Sequence, residues 1–237
     1  MTKIISRIRG FTLVEMAVVL VIFGLLLGGL WMPLAAQMNQ RNYSETNQQI
    51  SEIKEALIGY ALTNGYLPCP AISAANGSEN RAGDGTCNAR VGFIPWVALG
   101  VKGTDSWNHL FRYSVTPAYA RSDTSVVLSP PTNRDITIRT RNSVGNLVNL
   151  SNASDIPAVV ISYGKNGFFG TSPDGTALAD GSATNVDEDT NGAGVTTFIS
   201  RDITDNTAVN GGEFDDIVAW ISPRIYLSRL VSAGHLP

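Results

Sequence analysis

The chain has 237 residues, 43% of them apolar, and a formal net charge of −3. Charged residues make up only 16%, against roughly 25% in an average soluble domain, which excludes a basic nucleic-acid binder and a disordered solvating chain. The average hides a division. Lys3, Arg7 and Arg9 are the only charges before Gly10, and Met16–Ala36 carries none. Residues 170–216 hold ten acids (Asp174, Asp180, Asp187, Glu188, Asp189, Asp202, Asp205, Glu213, Asp215, Asp216) against one base, Arg201.

As a helix, Met16–Ala36 reaches roughly 30 Å, the thickness of a bilayer's hydrocarbon core. The run is longer than the apolar part of a secretory signal, and Gln37-Met38-Asn39-Gln40 beyond it offers no small-x-small cleavage site. Basic residues ahead of the span predict a single pass, with the N-terminus cytoplasmic and the rest translocated. Glu15 stands at the start of this span. A membrane carboxylate costs roughly 2.5–3.5 kcal/mol at a helix centre, less near the interface, and needs a partner that the following span does not supply. Cleavage after Gly10 would create one, the free α-amine of Phe11, on the same or a neighbouring chain. The alternative is a signal anchor with an interfacial acid.

Arg9-Gly10-Phe11-Thr12-Leu13-Val14-Glu15-Met16 resembles the processing site of type IV prepilins and type II secretion pseudopilins. The resemblance implies cleavage after Gly10 by a prepilin peptidase, N-methylation of Phe11, and Glu15 as the residue that sets register during assembly. Pro33 stands where many pilins have a helix-bending proline, whose ring and missing N–H open a helix.

Beyond the span, Ile50, Ile53, Leu57 and Tyr60 recur at helical spacing, and Asn64-Gly65 with Pro68 supplies a stop. The spacing predicts one long helix from near Thr12 to near Thr63, its second half packed on a head. A separate second helix joined through Gln37–Tyr43 is the alternative. Cys69 and Cys87 are the only cysteines, and in a translocated, oxidising compartment such a pair predicts a disulfide. His109 and His235 do not complete a zinc set with them.

Asp105-Ser106-Trp107-Asn108-His109-Leu110-Phe111-Arg112-Tyr113 resembles a pseudopilin signature that leads into the first strand of the head. Asp105, Trp107 and Tyr113 match it, whereas Ser106, Asn108, His109 and Leu110 depart from it. Strand-like runs follow at Tyr113–Val115, Ser125–Leu128, Ile136–Arg141, Leu147–Leu150, Ala158–Tyr163 and Thr196–Ile199, punctuated by Pro130-Pro131 and Ser154-Asp155-Ile156-Pro157. Ser222-Pro223 begins a short final helix with Leu227, Leu230 and Val231 on one face, ended by Gly234. The expected fold is α+β and pilin-like, a long N-terminal helix packed on an antiparallel sheet. Its parts are a leader at 1–10, a membrane or filament-core helix at 11–36, an amphipathic continuation at 37–64, and a head at 65–237 with a flexible acidic insert at about 170–214.

Ser162-Tyr163-Gly164-Lys165-Asn166-Gly167 and Asp215-Asp216-Ile217-Val218-Ala219-Trp220 also resemble pseudopilin runs, which there flank a calcium-holding loop. Asp187-Glu188-Asp189-Thr190-Asn191-Gly192 matches the first half of an EF-hand loop, but the twelfth position falls on Phe198, which cannot ligate. Two readings of the acids stand, a solvated surface or oxygen ligands for Ca²⁺. In the second, Asp215 and Asp216 lead, with Asp187 and Asp189 behind them. None of the serine-hydrolase, zinc-protease or phosphate-loop motifs occurs, so no enzyme is expected.

These observations point to a structural filament subunit in the inner membrane, its head in the periplasm until it joins a filament. A pseudopilin of type II secretion is the leading reading. Its alternatives are a minor pilin of a type IV pilus or DNA-uptake machine, and a non-polymerising, membrane-anchored periplasmic binding protein dependent on calcium. Partners implied by the resemblance are the prepilin peptidase, copies of the chain, other pilins or pseudopilins, and an inner-membrane assembly platform; no nucleic acid is among them.

Overall fold

A computed structural model describes residues 10–123, 134–150 and 155–235, except for the side chains of residues 26–34. The leader ahead of Gly10, the expected strand Ser125–Leu128 and the Pro130-Pro131 break lie outside the described residues. In chain order the elements are α1 (Leu13–Asn64), β1 (Val91–Phe93), α2 (Trp96–Leu99), β2 (Arg112–Val115), β3 (Thr137–Arg141), β4 (Leu147–Asn149), β5 (Ala158–Ser162), α3 (Val186–Ala193), β6 (Thr197–Ile199), β7 (Ile217–Trp220) and α4 (Pro223–Ser232). By its contacts the chain divides into two units, residues 1–41 and 42–237.

The first unit is the N-terminal part of α1, which is one helical element of 52 residues rather than two helices. Its start is a capping box. The Glu15 backbone N–H donates to Thr12 Oγ1 at 3.2 Å, while Glu15 Oε2 accepts from the Thr12 N–H at 2.8 Å and its hydroxyl at 2.9 Å. Every side chain from Phe11 to Leu25 is exposed, Phe11 at 83% and Leu13 at 86%. Among the described residues no helix is long and apolar enough to cross a membrane. The run Met16–Ala36 includes residues 26–34, whose side chains are not described.

In the second unit α1 buries Ile50, Ile53, Leu57, Ile58 and Ala61 along one stripe, with Tyr60 half-buried at its edge. Gly65 ends the helix at φ 84°, its N–H donating to the Ala61 carbonyl at 2.7 Å, which is the left-handed stop expected of Asn64-Gly65. The stripe packs with Leu67, Ile94, Phe111, Tyr113, Val160 and Tyr226. Tyr113 and Val160 belong to a four-stranded antiparallel sheet of order β1-β2-β5-β7, with Tyr113 opposite Val160 and Val160 opposite Ala219.

β5 explains the layering. All five of its residues are buried. Alternation sends Ala158 and Val160 toward α1, and Val159 and Ile161 into a second cluster with Ile136, Ile138, Phe198 and Val218. That second cluster is covered by a smaller sheet of order β4-β3-β6. The main sheet is antiparallel, as expected, but β3 and β6 pair in parallel, Ile138 opposite Phe198. Parallel partners need a long crossover, and β4, β5 and α3 lie between them in the chain. The 170–214 insert is therefore built into the fold, supplying α3 as well as the one strand foreseen there.

The cysteines form the expected disulfide, Cys69–Cys87, closing a separation of 18 residues. Arg81 braces the loop from inside, donating to the carbonyls of Gly85, Ala120 and Leu67 while stacking over Tyr66. At the C-terminus α4 starts at Pro223, but its buried pair is Tyr226 and Leu230, one turn apart. Val231, grouped by the sequence pattern on one face with Leu227 and Leu230, is 42% exposed, because Tyr226 packs edge-on against Tyr119 and turns Val231 outward.

Candidate functional site

At the N-terminus α1 begins only at Leu13, so Gly10 and Phe11 precede the helix, and nothing crowds Gly10 within 4 Å. Glu15, singled out from sequence as an acid without a partner, is engaged by its own chain through the Thr12 capping box. The Thr-x-x-Glu signature was available in the sequence and is the signal that reveals it.

The second candidate site lies where the turn after β5, the start of β7 and α3 meet. Asp105, at 1% exposure, pins this region: it accepts the N–H groups of Trp107 and His109, both at 2.9 Å, and the Ser162 hydroxyl at 2.6 Å. Ser106 N–H in turn donates to Thr46 of α1 at 3.2 Å. The Asp105–Tyr113 run thus acts as a structural clasp. His109 belongs to it, its ring lying against Gly167, where a Cβ would come within 2.5 Å of the imidazole.

Beside the clasp three carboxylates converge. Glu188, Asp215 and Asp216 each place an oxygen within 4.8 Å of the others, and their exposures are 0, 7 and 3%. Glu188 accepts from the Asp215 N–H at 2.7 Å and from the side-chain amides of Asn166 and Asn185. Asp215 Oδ2 accepts the Asn166 N–H at 2.8 Å, and Asp216 Oδ2 the Asn191 amide at 2.8 Å. Oδ1 of Asp215 and Oδ1 of Asp216 are buried with no hydrogen-bond partner. Burial pushes the Asp215 carboxyl up to about 7, the Glu188 charge adding to it. Burial, then Glu188, holds Asp216 well above the ordinary carboxylate range. A cavity of about 330 Å³ lined by Lys165, Asn166, Thr204, Asp205, Phe214 and Asp215 opens alongside.

The structure brings together two of the four acids proposed from sequence as ligands, Asp215 and Asp216, and adds Glu188. Asp187 is turned elsewhere: its carboxylate, 1% exposed, is taken up by Arg141 and by Arg201, whose Nε lies 2.7 Å away. Asp189 stands outside the trio, its carboxyl raised by burial and by Asp180. The reason is the backbone. Residues 186–193 are a helix, not a loop, and two residues apart on a helix point about 200° away from each other. Alternate acids converge on a cation only from an EF-hand-like loop. Buried oxygens without partners, on hard carboxylates beside the Asn166 and Asn185 side-chain amides, fit an oxygen-ligated divalent cation such as Ca²⁺.

Among known proteins, residues 5–31 match the family model described as the prokaryotic N-terminal methylation motif. The chain carries a prepilin-type cleavage and methylation signal. A signal of this kind implies processing by a prepilin peptidase. Comparison with curated proteins and with solved structures finds no match.

Proposed function

We propose that the chain is a structural, non-catalytic filament subunit, anchored in the inner membrane by residues 11–36 with its head in the periplasm, and assembled through its N-terminal helix. The observation that carries this reading is the continuous exposed apolar surface from Phe11 to Leu25, directly behind the methylation motif. An apolar helix exposed on all sides needs lipid or other helices around it. Its natural occupants are the bilayer before assembly and copies of the chain, or related pilins, afterwards. The Asp105–Tyr113 and Asp215–Trp220 runs favour a type II secretion pseudopilin over a pilus or DNA-uptake subunit.

Intact-mass analysis of the chain purified from cells with an active prepilin peptidase should give a start at N-methyl-Phe11. A chain still beginning at Met1 overturns the reading. Glu15→Ala should abolish cross-linked multimers while membrane insertion persists; unchanged multimers would favour an anchored, non-polymerising binding protein. Loss of multimers on deleting the secretion platform, but not a pilus platform, assigns the machine.

A second reading concerns the acidic trio. We infer that Glu188, Asp215 and Asp216 hold Ca²⁺, because the two partnerless Oδ1 atoms are buried among like charges with no cation in hydrogen-bond contact. Calorimetric titration of the full chain in detergent with CaCl₂ tests it; absence of binding heat removes the cation from the description.

A further inference from the structure

We propose that the cleft between the β3–β4 turn and the segment 201–210 is a docking site for an extended peptide that carries one carboxylate between apolar side chains. The inference goes beyond the filament reading and does not depend on the Ca²⁺ reading.

The cleft holds about 550 Å³. That is within the roughly 300–1,000 Å³ of ordinary ligand sites. Arg141, at the end of β3, and Arg201, two residues past β6, form part of its wall. The Arg201 side chain is only 9% exposed. Both arginines are fixed by the chain around them. Arg141 Nη1 donates to the Gly145 carbonyl at 2.7 Å and Arg201 Nη2 to the Gly212 carbonyl at 2.6 Å, while the Arg201 guanidinium lies 4.7 Å over the Phe214 ring. Donors held in place before a ligand arrives lower the ordering cost of binding.

Negative charge is in short supply at this wall. Asp187 is shared by both arginines. Arg141 meets it through two hydrogen bonds, whereas Arg201 Nε lies 2.7 Å from Asp187 Oδ2 but out of line, a buried N–H with no hydrogen-bond partner. Two guanidiniums against one carboxylate leave one positive charge in excess. Burial lowers the Arg201 pKa; Asp187 opposes the shift and Arg141 adds to it. Asp202 also lines the cleft, but it is exposed and among the described residues pairs with neither arginine. A second carboxylate entering from outside supplies the missing charge in the geometry that guanidinium prefers. An excess of one suits a single carboxylate rather than a polyanion.

The rim says what surrounds that carboxylate. Val144, Ile203 and Val209 line the cleft and are exposed. The two walls touch through Asn210, whose Nδ2 donates to the Val144 carbonyl at 3.4 Å. A bare anion would leave the apolar rim in water, whereas apolar side chains on either side of an acid would cover it.

Fluorescence anisotropy on the full chain in lipid nanodiscs tests the site. The probes are labelled pentapeptides with Asp at the centre, flanked by Val, Ile or Leu and ended by Gly, each matched by a copy with Asn for Asp. At least one acidic peptide should bind, its Asn match at least tenfold more weakly, and NaCl should weaken the acidic peptide alone. Val144→Glu and Ile203→Glu, both at exposed positions, should each weaken the acidic peptide at least tenfold with the circular dichroism unchanged. Absence of binding by every acidic peptide, or equal binding by the Asn copies, overturns the proposal. Acetate or inorganic phosphate competing as well as the peptide would reveal a bare anion site and overturns it too. Wild-type affinity in both glutamate variants would place the peptide elsewhere. The comparison of acidic and Asn peptides uses wild type alone, so a variant that fails to fold does not suspend the test.

Discussion

Asp187 and Arg141 face each other fork to fork, Arg141 Nε on Oδ2 and Nη2 on Oδ1, both at 2.7 Å, with the carboxylate 1% exposed. The pair ties α3 to β3, two elements distant in the chain. Breaking a buried pair from one side leaves charge without compensation, at about 3–5 kcal/mol. Asp187→Asn should lower stability by that amount in urea unfolding of the full chain, since two guanidiniums lose their counter-charge. A loss under about 1 kcal/mol would mean that water reaches the pair and the clamp is weak.

Gly164 sits at φ 59° in the turn that follows β5, and a Cβ there would lie 2.3 Å from the Asp215 carbonyl and 2.4 Å from Asp215 Oδ1. The left-handed conformation alone disfavours alanine by about 1–2 kcal/mol, and the overlap adds to it. Gly164→Ala should destabilise the head and weaken Ca²⁺ binding together. Wild-type affinity in this variant would show that Asp215 does not need this turn to reach the cation.

The Cys69–Cys87 bridge closes 18 residues of loop, for which chain-entropy arguments give about 3 kcal/mol. Cys69→Ser with Cys87→Ser should shift the urea midpoint accordingly. The Arg81 contacts to three carbonyls persist without the bridge, so the double variant should still fold.

Alkaline pH should unfold the head. Burial raises Tyr60 and Tyr119 to about 12, and moves Tyr113 and Tyr226 upward as well. An unfolded tyrosine loses its proton near pH 10. Folding therefore keeps protons that the unfolded chain releases, so the stability is complete below pH 10 and declines as pH rises toward 12. Phenolate absorbance should appear together with loss of near-ultraviolet circular dichroism. Phenols titrating near pH 10 in an intact fold would contradict it.

Much of this architecture is legible in the chain itself, where periodicity is strong. Ile50, Ile53 and Leu57 announce the second half of α1, Gly65 its end, and the apolar run Ala158–Ser162 the doubly buried β5. A pair of cysteines in a translocated chain announces the disulfide. What escapes is structure that rests on polar tertiary contacts. β1 has only half-buried residues, and α3 is a helix because Arg141, Arg112 and Asn191 fix it, not because its residues favour one. The ligand assignment suffers for the same reason: acids at 187 and 189 suit a loop, whereas the helix aims Glu188 at Asp215 and Asp216 instead.

The parallel pairing of β6 with β3 has a practical side for anyone designing a minimal head. Excising residues 170–214 would not trim a loop but strip acceptors from both sheets. Arg112 would lose the carbonyls of Gly192 and Gly194, Ser114 that of Val195, and Arg141 its carboxylate. A shortened chain would then expose the Ile138, Val159 and Ile161 surface that Phe198 now covers, and would aggregate rather than crystallise.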